Sequence, residues 1–188
     1  MELSRRMRML RTGLVPWNGN ADEVCVIVTV PAFHAPVHYE VDRALGVLRV
    51  TRVLRREPRL VHNCGCIPRT LVGDARPLEV AVFAPWPLEQ LSLVVARPVG
   101  MFSISQESVT EPRIIAMPAD SVCSTTSSVR SADDIGPAML SRLMQFFTGC
   151  SDSPRSADLC IEWGDVHRAE DVMCRAACAF NEHGQCRR

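Results

Sequence analysis

The sequence predicts a mainly β fold, α+β in class: a closed barrel of about five strands followed by two helices packed against it. Two observations carry this. Short β-branched segments recur between Val24 and Met117, separated by turns that bear Pro or Gly, and strands at that spacing favour a barrel over a parallel sheet. After Pro118 the character changes to a Ser/Thr-rich loop and then to apolar residues at helical spacing. The chain's 188 residues, 47% hydrophobic and 22% charged, suit one soluble domain of ordinary size.

The elements follow in order. Gly13 to Asp22 carries Pro16, Asn18, Gly19 and Asn20 and reads as loop. Val24 to Val30 is a β-branched run closed by Pro31, as expected of a strand buried on both faces. Val37 to Val41 alternates apolar and polar, the pattern of a strand with one wet face. Asp42 to Gly46 is a turn into Val47 to Val53, which makes a hairpin. Leu78 to Ala84, Leu91 to Ala96, Val99 to Ile104 and Arg113 to Met117 are further short strands. Cys123 to Ser131 reads as loop, and Ser131-x-x-Asp134 resembles a capping box ahead of a helix. Ile135, Met139, Leu143 and Phe147 recur at helical spacing. Gly149 to Ala157 is loop-like. Ala169, Val172, Met173, Ala176 and Phe180 mark a second amphipathic helix that ends near Gly184.

Composition narrows the function classes. Net charge is zero, which argues against nucleic acid or an anionic membrane as the main partner. No stretch is long and apolar enough to span a membrane. All 21 basic residues are arginine, so any lysine that would hold phosphate elsewhere must here be arginine, with its planar, forked guanidinium, or be lost. The nine cysteines include no Cys-x-x-Cys pair. Cys64-Gly65-Cys66 and Cys174…Cys178 are the close pairs, the latter on one helix face, and scattered thiols in a reducing cytosol fit better than zinc. Residues 1–22 form a basic N-terminal extension and loop, with Arg5, Arg6, Arg8 and Arg11 but no apolar signal core.

The chemistry-bearing residues have bland readings when taken singly. Glu40 suits the polar face of a half-buried strand. Asp74 suits a turn. Arg52 sits among Arg49, Arg55, Arg56 and Arg59, as on a solvated face. His34, His38 and His62 suit surface histidines, and Trp17, Trp86 and Trp163 suit packing.

Taken together and in order, they resemble the soluble family I inorganic pyrophosphatases. The run Leu71-Val72-Gly73-Asp74-Ala75-Arg76-Pro77-Leu78-Glu79-Val80 is similar to that family's acidic signature loop. Val30-Pro31-Ala32-x-x-x-Pro36-x-x-Tyr39-Glu40-Val41-Asp42, Gly46-x-Leu48-x-Val50-x-Arg52, Asn63-x-Gly65-x-Ile67, Pro85-x-Pro87-Leu88 and Arg97-Pro98-Val99-Gly100 match further segments at near-constant spacing. The resemblance covers about Val24 to the last helix and defines residues 23–188 as the domain, with a five-stranded OB-like barrel.

It implies magnesium-dependent hydrolysis of pyrophosphate to two phosphates. In such chemistry divalent cations neutralise the polyanion and acidify the attacking water. By position, Asp74, Glu79 and Glu111 would hold Mg2+, Arg52 and Arg113 would bind phosphate, and Glu40 would act by charge or through water. A cytoplasmic homo-oligomer, often a hexamer, is the assembly implied.

This chain also departs from the family. Arg76 stands where the family keeps the carboxylate that activates water. Thr29, His38, Cys64, Gln106, Cys150 and Ser151 replace a glutamate, a lysine, a tyrosine, an aspartate and a Tyr-Lys pair. Arg76 can pair with the neighbouring carboxylates and compete with metal. Two expectations follow: a pyrophosphatase with impaired activity, or a catalytically inactive relative that serves as a structural, regulatory or phosphate-binding protein.

Overall fold

The computed structural model describes residues 23–33, 37–42, 47–53, 60–73, 76–106, 109–149 and 160–185, and gives only the backbone of residues 38–42, 48, 52, 106, 148–149 and 183–185. Strands β1 (Val24–Val30), β4 (Asn63–Val72), β5 (Arg76–Val82), β6 (Leu93–Gln106) and β7 (Val109–Pro118) lie in the order β1-β4-β5-β7-β6. Pairing of β1 with β6 closes the ring, so the predicted five-stranded barrel is present. The β5–β7 pair is parallel; the other barrel pairs are antiparallel. Strands β2 (Val37–Asp42) and β3 (Val47–Val53) form the predicted hairpin as a separate two-stranded sheet.

Alternation along the strands sorts the core into two layers. Val24, Val26, Val28, Ile67, Leu78, Val80, Val82, Ile114 and Ala116 belong to one cluster drawn from the barrel strands. The second predicted helix, Val166–Gln185, adds Ala169, Val172, Met173 and Ala176 to it, as its periodicity indicated. The opposite faces of β5, β6 and β7 contribute Ala81, Phe102, Ile115 and Met117 to a second cluster, joined by Phe83 just past the end of β5. The first helix, Pro137–Gly149, packs there through Leu143 with Met139 and Phe147 alongside. These helices are α2 and α1 respectively.

Several elements differ from expectation, each for a local reason. The two strands predicted on either side of Pro98 are one strand, β6, whose register with β7 shifts between Pro98 and Gly100. A proline lacks the ladder N–H but is tolerated at such an irregularity. Strand β4 was not predicted because Gly65 and Pro68 interrupt its pattern. Gly65 is needed there: a Cβ at that position would lie 2.6 Å from the Ile27 carbonyl oxygen. Around Pro68 the β4–β5 register shifts, and Thr70 bridges the gap. Its hydroxyl donates to the Ile67 carbonyl at 2.6 Å and accepts from the Leu78 amide at 2.9 Å.

Strand β8 (Cys160–Gly164), added to β6 outside the ring, was not predicted either. The Ser131–Asp134 capping box is formed, with Asp134 Oδ2 accepting from the Ser131 amide at 2.8 Å. It opens a 3-10 turn at Ala132–Ile135, and α1 starts only after Gly136, whose positive φ of 89° ends that turn. His62 is 0% exposed rather than a surface histidine. Trp86 is 76% exposed rather than a packing residue, whereas Trp163 reaches Phe102 with ring centres 5.9 Å apart.

Candidate active site

The candidate site is built on the parallel pair β5–β7. On β5, Leu78 and Val80 turn into the core and Glu79 turns outward. Glu79 is in register with Arg113 on β7, and Glu111, two residues earlier, shares the Arg113 face. The backbone therefore converges three of the six predicted site residues. Arg113 Nε donates to Glu79 Oε2 at 2.8 Å, and Arg113 Nη2 donates to Glu111 Oε2 at 2.9 Å. Arg76, at the start of β5, completes the chain: its Nη2 donates to Glu111 Oε1 at 2.5 Å. Together with Val72 and Gly73 these side chains line one surface cleft.

The four side chains form a charge-balanced row. Burial pushes the Glu111 carboxyl up, but hydrogen bonds and positive charge from Arg76 and Arg113 outweigh it and hold the group below the ordinary glutamate value. Arg113 is the anchored member, with a side chain 12% exposed. The centre of its guanidinium lies 4.7 Å from the Phe147 ring centre, on α1. Its Nη1 is buried and has no hydrogen-bond partner among the described residues. Cys66 on β4 is in register with Glu79. Burial, with the Glu79 charge added, pushes its thiol up to about 11, so it stays protonated beside the cleft.

The remaining predicted residues are placed less fully. Glu40 is in register with Arg49, and Arg52 with His38, on the β2–β3 hairpin; the Glu40 and Arg52 side chains lie outside the described set. Asp74 lies outside the described residues, as do Cys150 and Ser151. Thr29 and Cys64, both departures from the family pattern, touch each other: the Thr29 hydroxyl donates to the Cys64 carbonyl at 3.2 Å. Cys64 Sγ lies 3.4 Å from His62 Nε2.

Sequence reasoning missed Phe147 as part of the site, reading it only as a helix-core position. No spacing rule links it to Arg113; the packing of α1 on the outer barrel face does. Asn63 was noted in a motif, and its role is structural. Its Oδ1 accepts from the amides of Ala32 at 2.9 Å and Leu88 at 2.8 Å, which ties two loops to the start of β4.

The described carboxylates do not, as they stand, fit a divalent cation. Both Glu111 oxygens and one Glu79 oxygen are held by guanidiniums. Among the described residues no group of three or more His, Cys, Asp or Glu is arranged to hold a metal.

Comparison with known proteins gives one consistent result. Residues 26–181 match the family profile described as inorganic pyrophosphatase. The chain is 31% identical over 166 residues to the inorganic pyrophosphatase of Xylella fastidiosa (strain 9a5c), a match that covers 88% of this chain and 93% of that one. It is 30% identical over 162 residues to the inorganic pyrophosphatase of Pseudomonas aeruginosa, covering 86% and 93%. Among solved structures, an inorganic pyrophosphatase from Coxiella burnetii superposes with a TM-score of 0.78 at 27% identity, covering 89% of this chain and 99% of that one. The inorganic pyrophosphatase from Helicobacter pylori gives a TM-score of 0.77 at 28% identity, covering 90% and 99%.

Proposed function

Because this chain belongs to the inorganic pyrophosphatase family, we propose that the β5–β7 cleft is where it binds pyrophosphate and hydrolyses it to two phosphates. The observation that carries the placement is Arg113, largely buried, gripped by Glu79 and Glu111, and left with an Nη1 that has no hydrogen-bond partner among the described residues. A guanidinium so held is preorganised for phosphate oxygen and stabilises charge on the leaving group. Arg52 is the second phosphate-binding cation in this reading, and Glu40 orders water or acts by charge.

Members of this family are generally metal-dependent, and magnesium is the cation expected here, with Asp74, Glu79 and Glu111 as its candidate ligands. The guanidiniums on Glu79 and Glu111 compete with it, so activity is impaired relative to a chain with a carboxylate at position 76. The functional domain is residues 23–188, working as a cytoplasmic homo-oligomer, with a hexamer as the implied assembly. Among the described residues no helix is long and apolar enough to cross a membrane.

One observation favours a second reading. Arg76 and Arg113 together occupy both oxygens of Glu111. A catalytically inactive relative that binds phosphate or serves a structural or regulatory role is consistent with that pairing.

Phosphate release from pyrophosphate, with and without millimolar magnesium, separates the two in wild type, Arg76→Asp and Arg113→Ala. Magnesium-dependent release in wild type, raised in Arg76→Asp and abolished in Arg113→Ala, supports the enzyme. Folded wild type and Arg76→Asp that both release nothing would leave the inactive reading.

A further inference from the structure

Helix α2 carries a second chemical feature, unrelated to pyrophosphate. Cys174 and Cys178 stand four residues apart, one turn along the helix, and both are exposed. Val172, Met173 and Ala176 of the same stretch are buried in the barrel core. The inner face of the helix is thus locked by packing while the two thiols are presented to solvent. The thiols also sense each other: the charge of Cys174, then desolvation by the neighbouring atoms, then a hydrogen bond between the two side chains and the charge of Glu182 push the Cys178 thiol up.

Geometry decides what such a pair can do. Residues four apart on a helix have Cβ atoms about 5–6 Å apart. A disulfide needs about 3.5–4.5 Å between Cβ atoms, so bridge formation would require unwinding a turn whose other face is held in the core. An interposed ion needs no such change, because two metal–thiolate bonds of about 2.3 Å each span the gap. Two thiolates are soft donors of the kind that select Cu(I), whereas zinc takes four ligands.

We propose that Cys174 and Cys178 form a thiophilic-ion site that takes Cu(I) in two-coordinate form. On binding, two S–H bonds break, two Cu–S bonds form, two protons pass to solvent and no electron is transferred. The ion staples one turn of α2, a helix that packs on the barrel core, so binding raises the thermal stability of the protein.

The test is an anaerobic titration of the full chain with Cu(I) against a chromophoric Cu(I) chelator, in wild type, Cys174→Ser, Cys178→Ser and Cys64→Ser. Wild type and Cys64→Ser are expected to take one tight equivalent, and each α2 variant to bind it at least tenfold more weakly. Cu(I) should raise Tm in wild type and not in the α2 variants. The same site is read without substitution by iodoacetamide labelling of wild type: Cu(I) should protect Cys174 and Cys178 and leave Cys64 and Cys123 reactive. Retention of full affinity in Cys174→Ser and Cys178→Ser, or protection confined to other cysteines, would overturn the proposal.

Discussion

Arg113 of β7 lies face-on to Phe147 of α1, with the guanidinium carbon 4.7 Å from the ring centre. A strand and a helix thereby share the positioning of one cation. The carboxylates accept from two of its nitrogens, and its central carbon sits over the ring. Replacing the ring with an aliphatic side chain keeps much of the packing and removes the cation–π contact, worth on the order of 1 kcal/mol. Phe147→Leu should therefore lower kcat/KM for pyrophosphate by roughly fivefold, a free-energy difference of that size. Steady-state phosphate release, with Tm as the control for folding, checks this; an unchanged kcat/KM would remove Phe147 from the positioning of Arg113.

Arg76 presents the opposite case. Its side chain is 56% exposed, and its ion pair with Glu111 is correspondingly screened. Exposed pairs of this kind contribute about 0–1 kcal/mol. Arg76→Met should shift the urea midpoint very little while freeing one Glu111 oxygen and strengthening the response to magnesium. A large loss of stability would mean that the pair is structural and not merely a competitor for metal.

Asn63 is a buried hub, and its oxygen satisfies two buried or part-buried backbone amides from different loops. Asn63→Ala leaves both amides without their partner, each at a cost of about 1–3 kcal/mol. Urea denaturation should register a destabilisation of about 3 kcal/mol. A loss under about 1 kcal/mol would show that water replaces the side chain.

His62 sets a pH dependence. It is fully buried against Phe83, Phe146 and Phe147, and burial lowers its pKa from 6.5 to about 3. The folded state thus keeps His62 neutral where the unfolded chain protonates it. With the folded pKa depressed, the unfolded state binds more protons between about pH 3 and 6.5, and stability rises with pH across that window. The contribution is complete above the unfolded value and lost as pH falls towards the folded one, a swing of roughly 5 kcal/mol at most. In His62→Phe, which also removes a buried Nδ1 that has no hydrogen-bond partner among the described residues, the slope of stability against pH over this range should flatten. Chemical denaturation at several pH values tests it; an unchanged slope would assign the acid sensitivity to other groups.

The strands that were legible in the sequence were those whose patterns owe nothing to distant residues. Val24–Val30 is nearly uniform in β-branched side chains, and Val37–Asp42 with Val47–Val53 alternates around a turn. Strand β4 was illegible because its glycine and proline read locally as breakers. Gly65 is required only because the β1 backbone passes too close for a Cβ, a fact of pairing and not of propensity. Strand β8 exists because β6 continues beyond its contact with β1 and offers Met101–Ser105 as an edge.

The candidate site divides in the same way. The resemblance to the family, carried over position by position, singled out Glu79, Glu111 and Arg113 and marked Arg76 as the discordant residue in the signature loop. Which of them touch depends on the parallel register that sets Glu79 beside Arg113 and on the strand direction that carries Glu111 to Arg76. The aromatic floor under Arg113 depends on where α1 docks. Short-range pattern determines backbone preference and side-chain chemistry, because both are decided within a few residues along the chain. Contacts between strands and helices remote in sequence are decided by the packing of the whole core, and only the tertiary structure reveals them.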